Sequence, residues 1–173
     1  TILPVVRGIE LFAADDKSNG AIRIAVVGVP HQQDGVCGVI SNFMTPAQII
    51  PVIAGIDLSN SPFGDEPHLD CAHMIADPAN PLHLSFRGDV KHAIVNFTDE
   101  PAQTNLGLTA AGTGDYLKQY GFKFYSFDTF DWHGTFMPVW EHAGGARYEI
   151  KRLSTAIARD LNAVFSKVSC GGS

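Results

Sequence analysis

Short apolar runs alternate with amphipathic segments along most of this 173-residue chain. From residue 21 onward the pattern predicts two strands, two helices, and then strands and helices in turn up to a final helix. Parallel strands need long crossover connections, which helices usually supply, so this order is typical of a parallel sheet covered by helices. We therefore expect an α/β fold: a doubly wound, mostly parallel sheet with helices on both faces and one antiparallel edge strand.

The predicted elements follow from apolar spacing, caps and turn residues. In order they are a helix at 2–13, strands at 21–29 and 35–43, helices at 45–56 and 68–77, a strand at 91–97, a helix around 114–121, a strand at 122–127, a helix near 136–145, a strand at 146–150 and a final helix ending at 168. An alternative makes 9–14 a strand that pairs through the Asn19-Gly20 turn signal. The glycine-rich run at 107–116 follows no strand, so it favours a loop over a dinucleotide-binding turn.

Composition and charge exclude several classes of protein. The chain is 45% hydrophobic and 17% charged, which is typical of a globular protein, and its length fits one domain at 1–168 with a tail at 169–173. The net charge is −6 and the basic residues are scattered, so no nucleic-acid partner is expected. The apolar stretches are too short, or too interrupted by proline, to predict a membrane span.

The three cysteines, Cys37, Cys71 and Cys170, allow one internal disulfide at most, and their spacing fits no zinc motif. One bridge with one cysteine left over suits an exported protein, whereas three thiols suit a cytosolic one, and both possibilities stay open. Cys37 could pair with a histidine as a nucleophile. Its surroundings, "GVCGVI", are more typical of a strand interior, where a thiol is usually a small buried hydrophobe.

The segment at 91–104 carries the strongest functional signal in the chain. Its apolar run ends at Phe97 and is followed directly by Thr98, Asp99 and Glu100. Ligands of α/β proteins bind outside the carboxyl ends of the strands, so Asp99 is predicted to lie at the ligand-binding edge of the sheet. The alternative is that Asp99 only caps a turn, since an aspartate close to a proline is common in loops.

Three local motifs occur in a characteristic order. They are "FGDEPHLDCAHMIAD", then "HAIVNFTDE", and then "YLKQYGFKFYSFDTFD" followed by "VWEHAGGARYEI". Together with the order of the elements, they resemble the von Willebrand factor type A domain, the inserted-domain fold of integrins and many bacterial adhesins. The resemblance covers most of residues 1–168.

The resemblance implies a metal-ion-dependent adhesion site at the carboxyl end of the sheet. Asp99 matches the family's aspartate after the fourth strand, a direct or water-mediated ligand of the cation. Glu66 lies where the family commonly has a threonine ligand, and either Glu66 or its neighbour Asp65 could ligate instead. The cation would be Mg²⁺, or Mn²⁺ or Ca²⁺, because such hard cations prefer oxygen ligands. Three further residues are assigned to the ligand rim: Thr98, Glu100 and Asp128.

One departure from the family concerns the first strand and its Asp-x-Ser-x-Ser motif, which this sequence lacks. Residues 1–13 correspond to the helix that follows that motif, so we expect the missing piece just before Thr1 and a domain incomplete at its N-terminus. In the strand order 3-2-1-4-5-6, losing the first strand leaves a gap of roughly 9–10 Å. A separate segment or chain is expected to fill it; otherwise the sheet rearranges or the first helix is misassigned.

By resemblance, the function is protein-ligand binding or adhesion through a bound cation that accepts an acidic residue of the partner, at the cell surface or outside the cell, without catalysis. The family alignment also places Cys37 and Cys71 in the same half of the fold, where a disulfide is conceivable. Two other functions stay open. One is a metal-assisted hydrolase or phosphoryl-transfer enzyme with Asp99, Glu100 and Asp128 as oxygen ligands. The other is an interaction module of the same fold that works without metal.

Overall fold

The computed structural model describes residues 2–14, 22–29, 36–56, 66–129, 133–150 and 154–169. Over these ranges the chain is a mixed α/β protein with six helices and five strands. In chain order the elements are α1 (Ile2–Ala13), β1 (Ile24–Gly28), β2 (Gly38–Met44), α2 (Pro46–Ala54), α3 (His68–Ala76), β3 (His92–Phe97), α4 (Ala110–Gln119), β4 (Phe122–Asp128), α5 (His133–Ala143), β5 (Ala146–Glu149) and α6 (Ser154–Ser169).

The element order predicted from the sequence is confirmed. The first segment is helical, so the alternative strand at 9–14 is wrong, and its Asn19-Gly20 turn lies outside the described residues. Helix α2 begins with a capping box, in which the Thr45 hydroxyl accepts from the Gln48 amide and the Gln48 side chain accepts from the Thr45 amide. The loop predicted at 107–116 is confirmed only for 107–109, because α4 begins at Ala110.

The five strands form two sheets in the described part of the chain. β1 pairs antiparallel with β2, while β3, β4 and β5 form a parallel sheet in that order. The β3–β4 ladder runs from His92 opposite Phe122 to Phe97 opposite Phe127. Both a parallel arrangement and an antiparallel strand pair are therefore present, as expected, but no described strand joins the two sheets.

Helices cover the parallel sheet on both faces. Every residue of β4 except Lys123 is buried, and neighbouring side chains on this strand pack into different cores. Tyr125 and Phe127 lie in a core with residues of α1, α2 and α6, whereas Phe124 lies in a core with residues of α3, α4 and α5. This alternation explains why β4 carries apolar residues that point to both faces of the sheet, as strands covered on both faces do.

Two close connections fix the positions of the helices. A disulfide joins Cys37, just before β2, to Cys71 on α3, which confirms the pairing that the family alignment made conceivable. Cys37 therefore has no thiol that could act as a nucleophile. Cys170 lies outside the described residues. Helices α4 and α5 approach so closely that a Cβ on Gly114 would lie 2.6 Å from the Cβ of His142.

Among the described helices, none combines the length and the apolar character needed to cross a bilayer.

Candidate functional site

A tight turn follows β3 and sets the position of the two acids. The Thr98 amide donates to the Phe127 carbonyl at 3.1 Å, which extends the pairing of β3 with β4 by one residue. The Thr98 hydroxyl then accepts from the Glu100 amide at 2.9 Å. This hydroxyl-to-backbone bond closes the turn, as serine and threonine commonly do, and Asp99 and Glu100 are exposed at its tip.

Glu66 reaches the same turn from a distant part of the sequence. It precedes α3, and its amide donates to the side-chain oxygen of Gln103 at 3.0 Å. The Glu66 carboxylate accepts a 3.4 Å hydrogen bond from the Thr98 hydroxyl and lies 2.9 Å from Nε2 of His68. The fold thus brings together Glu66 and Thr98, two residues that the sequence assigned to the site.

His68 is the buried partner of this cluster. Its side chain is only 5% exposed, its ring lies edge-on to Phe136, and its Nδ1 has no hydrogen-bond partner among the described residues. A buried polar atom without a partner costs about 1–3 kcal/mol, so such an arrangement often marks a functional position. No sequence pattern selects His68, because its pairing with Glu66 depends on the turn into α3.

The loop that carries the acids is held against two helices. The buried Asp70 carboxylate accepts hydrogen bonds from the Thr104 hydroxyl and, at 2.7 Å, from the Asn105 amide. The Ala102 amide donates to the Thr135 hydroxyl of α5 at 2.9 Å. These bonds keep the loop after β3 in one position, which is what a binding site on a loop requires. Asp70 was not predicted, although an acid in the first turn of a helix is a recognisable feature.

Asp128 has a different environment from the other predicted residues. It is completely buried at the end of β4, where its carboxylate accepts from Ser126 at 2.6 Å and from Arg147 Nε at 2.7 Å. Its oxygens are therefore engaged within the sheet. Asp65 lies outside the described residues.

The oxygen atoms around Thr98 belong to carboxylate and hydroxyl groups, which are the types of ligand that hard divalent cations prefer. The Glu66 carboxylate lies beside the Thr98 hydroxyl, Asp99 follows Thr98 in the chain and is exposed, and Asp99 has no ion-pair partner in the described part of the protein. Mg²⁺ prefers six oxygen ligands and often keeps several waters, so this set could supply part of a coordination shell. No three His, Cys, Asp or Glu side chains converge as a metal site within the described ranges, so the set is incomplete.

The cluster lies at one end of a large cleft. A cavity of about 920 Å³ separates β1 from β3, and Glu66, His68, Thr98 and Asp99 all line it. The carboxyl end of β3 therefore opens into this space.

Comparison with known proteins adds no relative: the chain matches no protein-family model and no curated protein sequence. The resemblance to the von Willebrand factor type A domain rests on the order of the elements and on the motifs around Glu66 and Asp99.

Proposed function

We propose that this chain forms a von Willebrand factor A-like binding domain. In this proposal, the carboxyl end of β3 holds a divalent cation that accepts an acidic group of a protein ligand. The observation that carries the proposal is the meeting of Thr98 and Glu66, residues 32 apart in sequence, beside the exposed Asp99.

The two sheets support a doubly wound arrangement. Placed side by side across the cleft, their strands give the order β2-β1, an open position, and β3-β4-β5. This order matches the family's 3-2-1-4-5-6, with the open position at its first strand. The carboxyl end of β3 then lies at the point where the strand order reverses, which is where open α/β sheets bind their ligands.

The residues have distinct parts in this site. Asp99 offers a carboxylate that has no partner among the described residues, Thr98 offers a hydroxyl, and Glu66 offers a carboxylate whose orientation is fixed by His68 at 2.9 Å. When bound, the cation would supply an open position for a carboxylate of the ligand. Further oxygens would come from water or from the segment that supplies the missing strand. The Cys37–Cys71 disulfide supports an extracellular or cell-surface location, since disulfides persist in oxidising compartments.

Titration calorimetry tests the proposal. Mg²⁺ and then Mn²⁺ are added to the chain and to Asp99→Ala, with Asp89→Ala as a matched control. Asp89 is also exposed, but it precedes β3 and so lies at the opposite end of the strand. Binding that is lost in Asp99→Ala and retained in Asp89→Ala is expected. Absence of binding, or equal binding by both variants, would refute the cation site.

A metal-free interaction module of the same fold is the second candidate. It is favoured by the engagement of Glu66 with His68 and Thr98, which satisfies that carboxylate without a cation. A protein ligand that binds equally well in EDTA and in Mg²⁺ would identify this candidate. A metal-assisted hydrolase has less support, because Asp128, one of its three expected ligands, is buried against Arg147.

A further inference from the structure

Two strand edges face the same cleft. Among the described strands, β1 pairs only with β2, and β3 pairs only with β4, so each has one edge without a strand partner. The cavity is lined by every residue from 22 to 29 and from 90 to 99. Successive side chains of a strand point to opposite faces, so a space that touches all of them must lie along the backbone edge.

Burial agrees with this geometry. All six residues of β3 are half-buried, whereas β4, which has a strand on each side, is buried at all but one position. Peptide N–H and C=O groups on the open edges of β1 and β3 therefore have no strand partner within the described ranges. Such groups require hydrogen bonds, and an open edge is a template for another strand.

The walls of the cleft are apolar above and below the plane of the strands. On one side lie residues of α1 and α6: Val5, Ile9, Leu161 and Phe165. On the other lie residues of α3 and of the segment before β3: Ala72, Ile75 and Phe86. A matching occupant has hydrogen-bonding groups along both edges and apolar side chains on both faces. An extended peptide has these properties, whereas a lipid chain lacks the polar edges.

We propose that the cleft binds an extended apolar peptide strand that pairs with β1 and β3 at once. β3 has six residues, so an occupant of matching length spans roughly 20 Å at about 3.3 Å per residue. Helices cover both faces, as in parallel sheets, so the occupant runs parallel to β3 and is apolar at consecutive positions. This inference rests on the doubly wound arrangement proposed above, but it does not require the cation.

Hydrogen exchange on the whole chain in EDTA tests the inference at single amides. In the free chain, alternate amides of β3 point towards β4 and exchange slowly, while the others point into the cleft and exchange fast. β4 has a strand partner on each side, so all of its paired amides exchange slowly. The probe is an acetylated, amidated peptide of six consecutive Val and Ile residues with Ser-Lys flanks. At about 100 times its Kd, it should slow the exposed amides of β3 and β1 about 100-fold.

The matched control is the same peptide with alternate amides N-methylated, which keeps the side chains but removes the donors on one edge. The control should give no comparable protection. Equal protection by both peptides would show that only side chains are recognised and would overturn the inference. Uniformly slow exchange of β3 in the free chain would show that the edges are already paired. Protection that grows with protein concentration alone would identify a second copy as the occupant, which also refutes a separate peptide.

The two proposals can fail separately. Peptide binding in EDTA without any cation binding would support the peptide-binding cleft and refute the cation site. Cation binding at Asp99 without peptide binding would do the reverse.

Discussion

Replacing Asp128 with alanine is expected to destabilise the fold by about 3–5 kcal/mol, the usual cost of removing one partner of a buried ion pair. The carboxylate is fully buried and accepts two hydrogen bonds, from Ser126 at 2.6 Å and Arg147 at 2.7 Å. Hydrogen bonds to charged groups contribute about 1.5–3 kcal/mol each, which gives a similar sum. Arg147 is 20% exposed, so water can solvate part of its guanidinium, and the lower end of the range is expected.

Urea unfolding followed by circular dichroism, in EDTA and in Mg²⁺, measures this loss. Asp99→Ala is the matched control, because Asp99 is an exposed acid just beyond the neighbouring strand, and its free energy of unfolding should change by less than about 0.5 kcal/mol. The double variant Asp128→Ala/Arg147→Met should lose less stability than the sum of the single variants, since both remove the same contact. A loss below about 1 kcal/mol for Asp128→Ala, or a loss seen only in Mg²⁺, would refute a structural ion pair.

Three further perturbations test other parts of the structure. Replacing Cys37 and Cys71 with serine removes a disulfide between residues 34 apart in sequence. The chain-entropy relation gives a loss of about 4 kcal/mol in the free energy of unfolding, which urea unfolding measures. An unchanged unfolding midpoint would contradict the disulfide. Burial lowers the pKa of His73 below its ordinary 6.5, despite the opposing charges of Asp70 and Asp77. As pH falls, the His73 side chain therefore takes up its proton at a higher pH in the unfolded chain than in the folded chain. Stability should therefore decline below pH 6.5 until the folded-state pKa is passed, and His73→Gln should show a shallower decline between pH 7 and 5. Gly114→Ala should lower the melting temperature despite the better helix propensity of alanine, because overpacking costs about 1–3 kcal/mol; a raised melting temperature would contradict the close contact of α4 with α5.

The order of the elements could be predicted because most segments obey local rules. Helix α2, for example, has a capping box at Thr45 and proline at its first position, and both signals are local. Helix α4 shows where local rules fail. Gly112 and Gly114 have low helix propensity, yet both lie within α4, and the close packing of α5 requires a residue without a side chain at Gly114. Tertiary packing therefore overrode propensity.

The candidate site was predictable only in part. Asp99 could be selected because strand-end acids lie at the ligand-binding edge of α/β sheets. The different role of Asp128 could not, since its pairing with Arg147 depends on the register that places Ser126 opposite Arg147. The pairing of Glu66 with His68 likewise depends on the turn into α3 rather than on a motif.

The most direct test of a cation site at the carboxyl end of β3 is an NMR titration of the chain with substoichiometric Mn²⁺, whose paramagnetism broadens signals near the bound ion. If the cation binds at the carboxyl end of β3, the amide signals of Glu66, Thr98 and Asp99 broaden first, the signal of Asp89 stays sharp, and Asp99→Ala abolishes the effect. Uniform broadening, or broadening centred on another part of the chain, would contradict a cation site at the carboxyl end of β3.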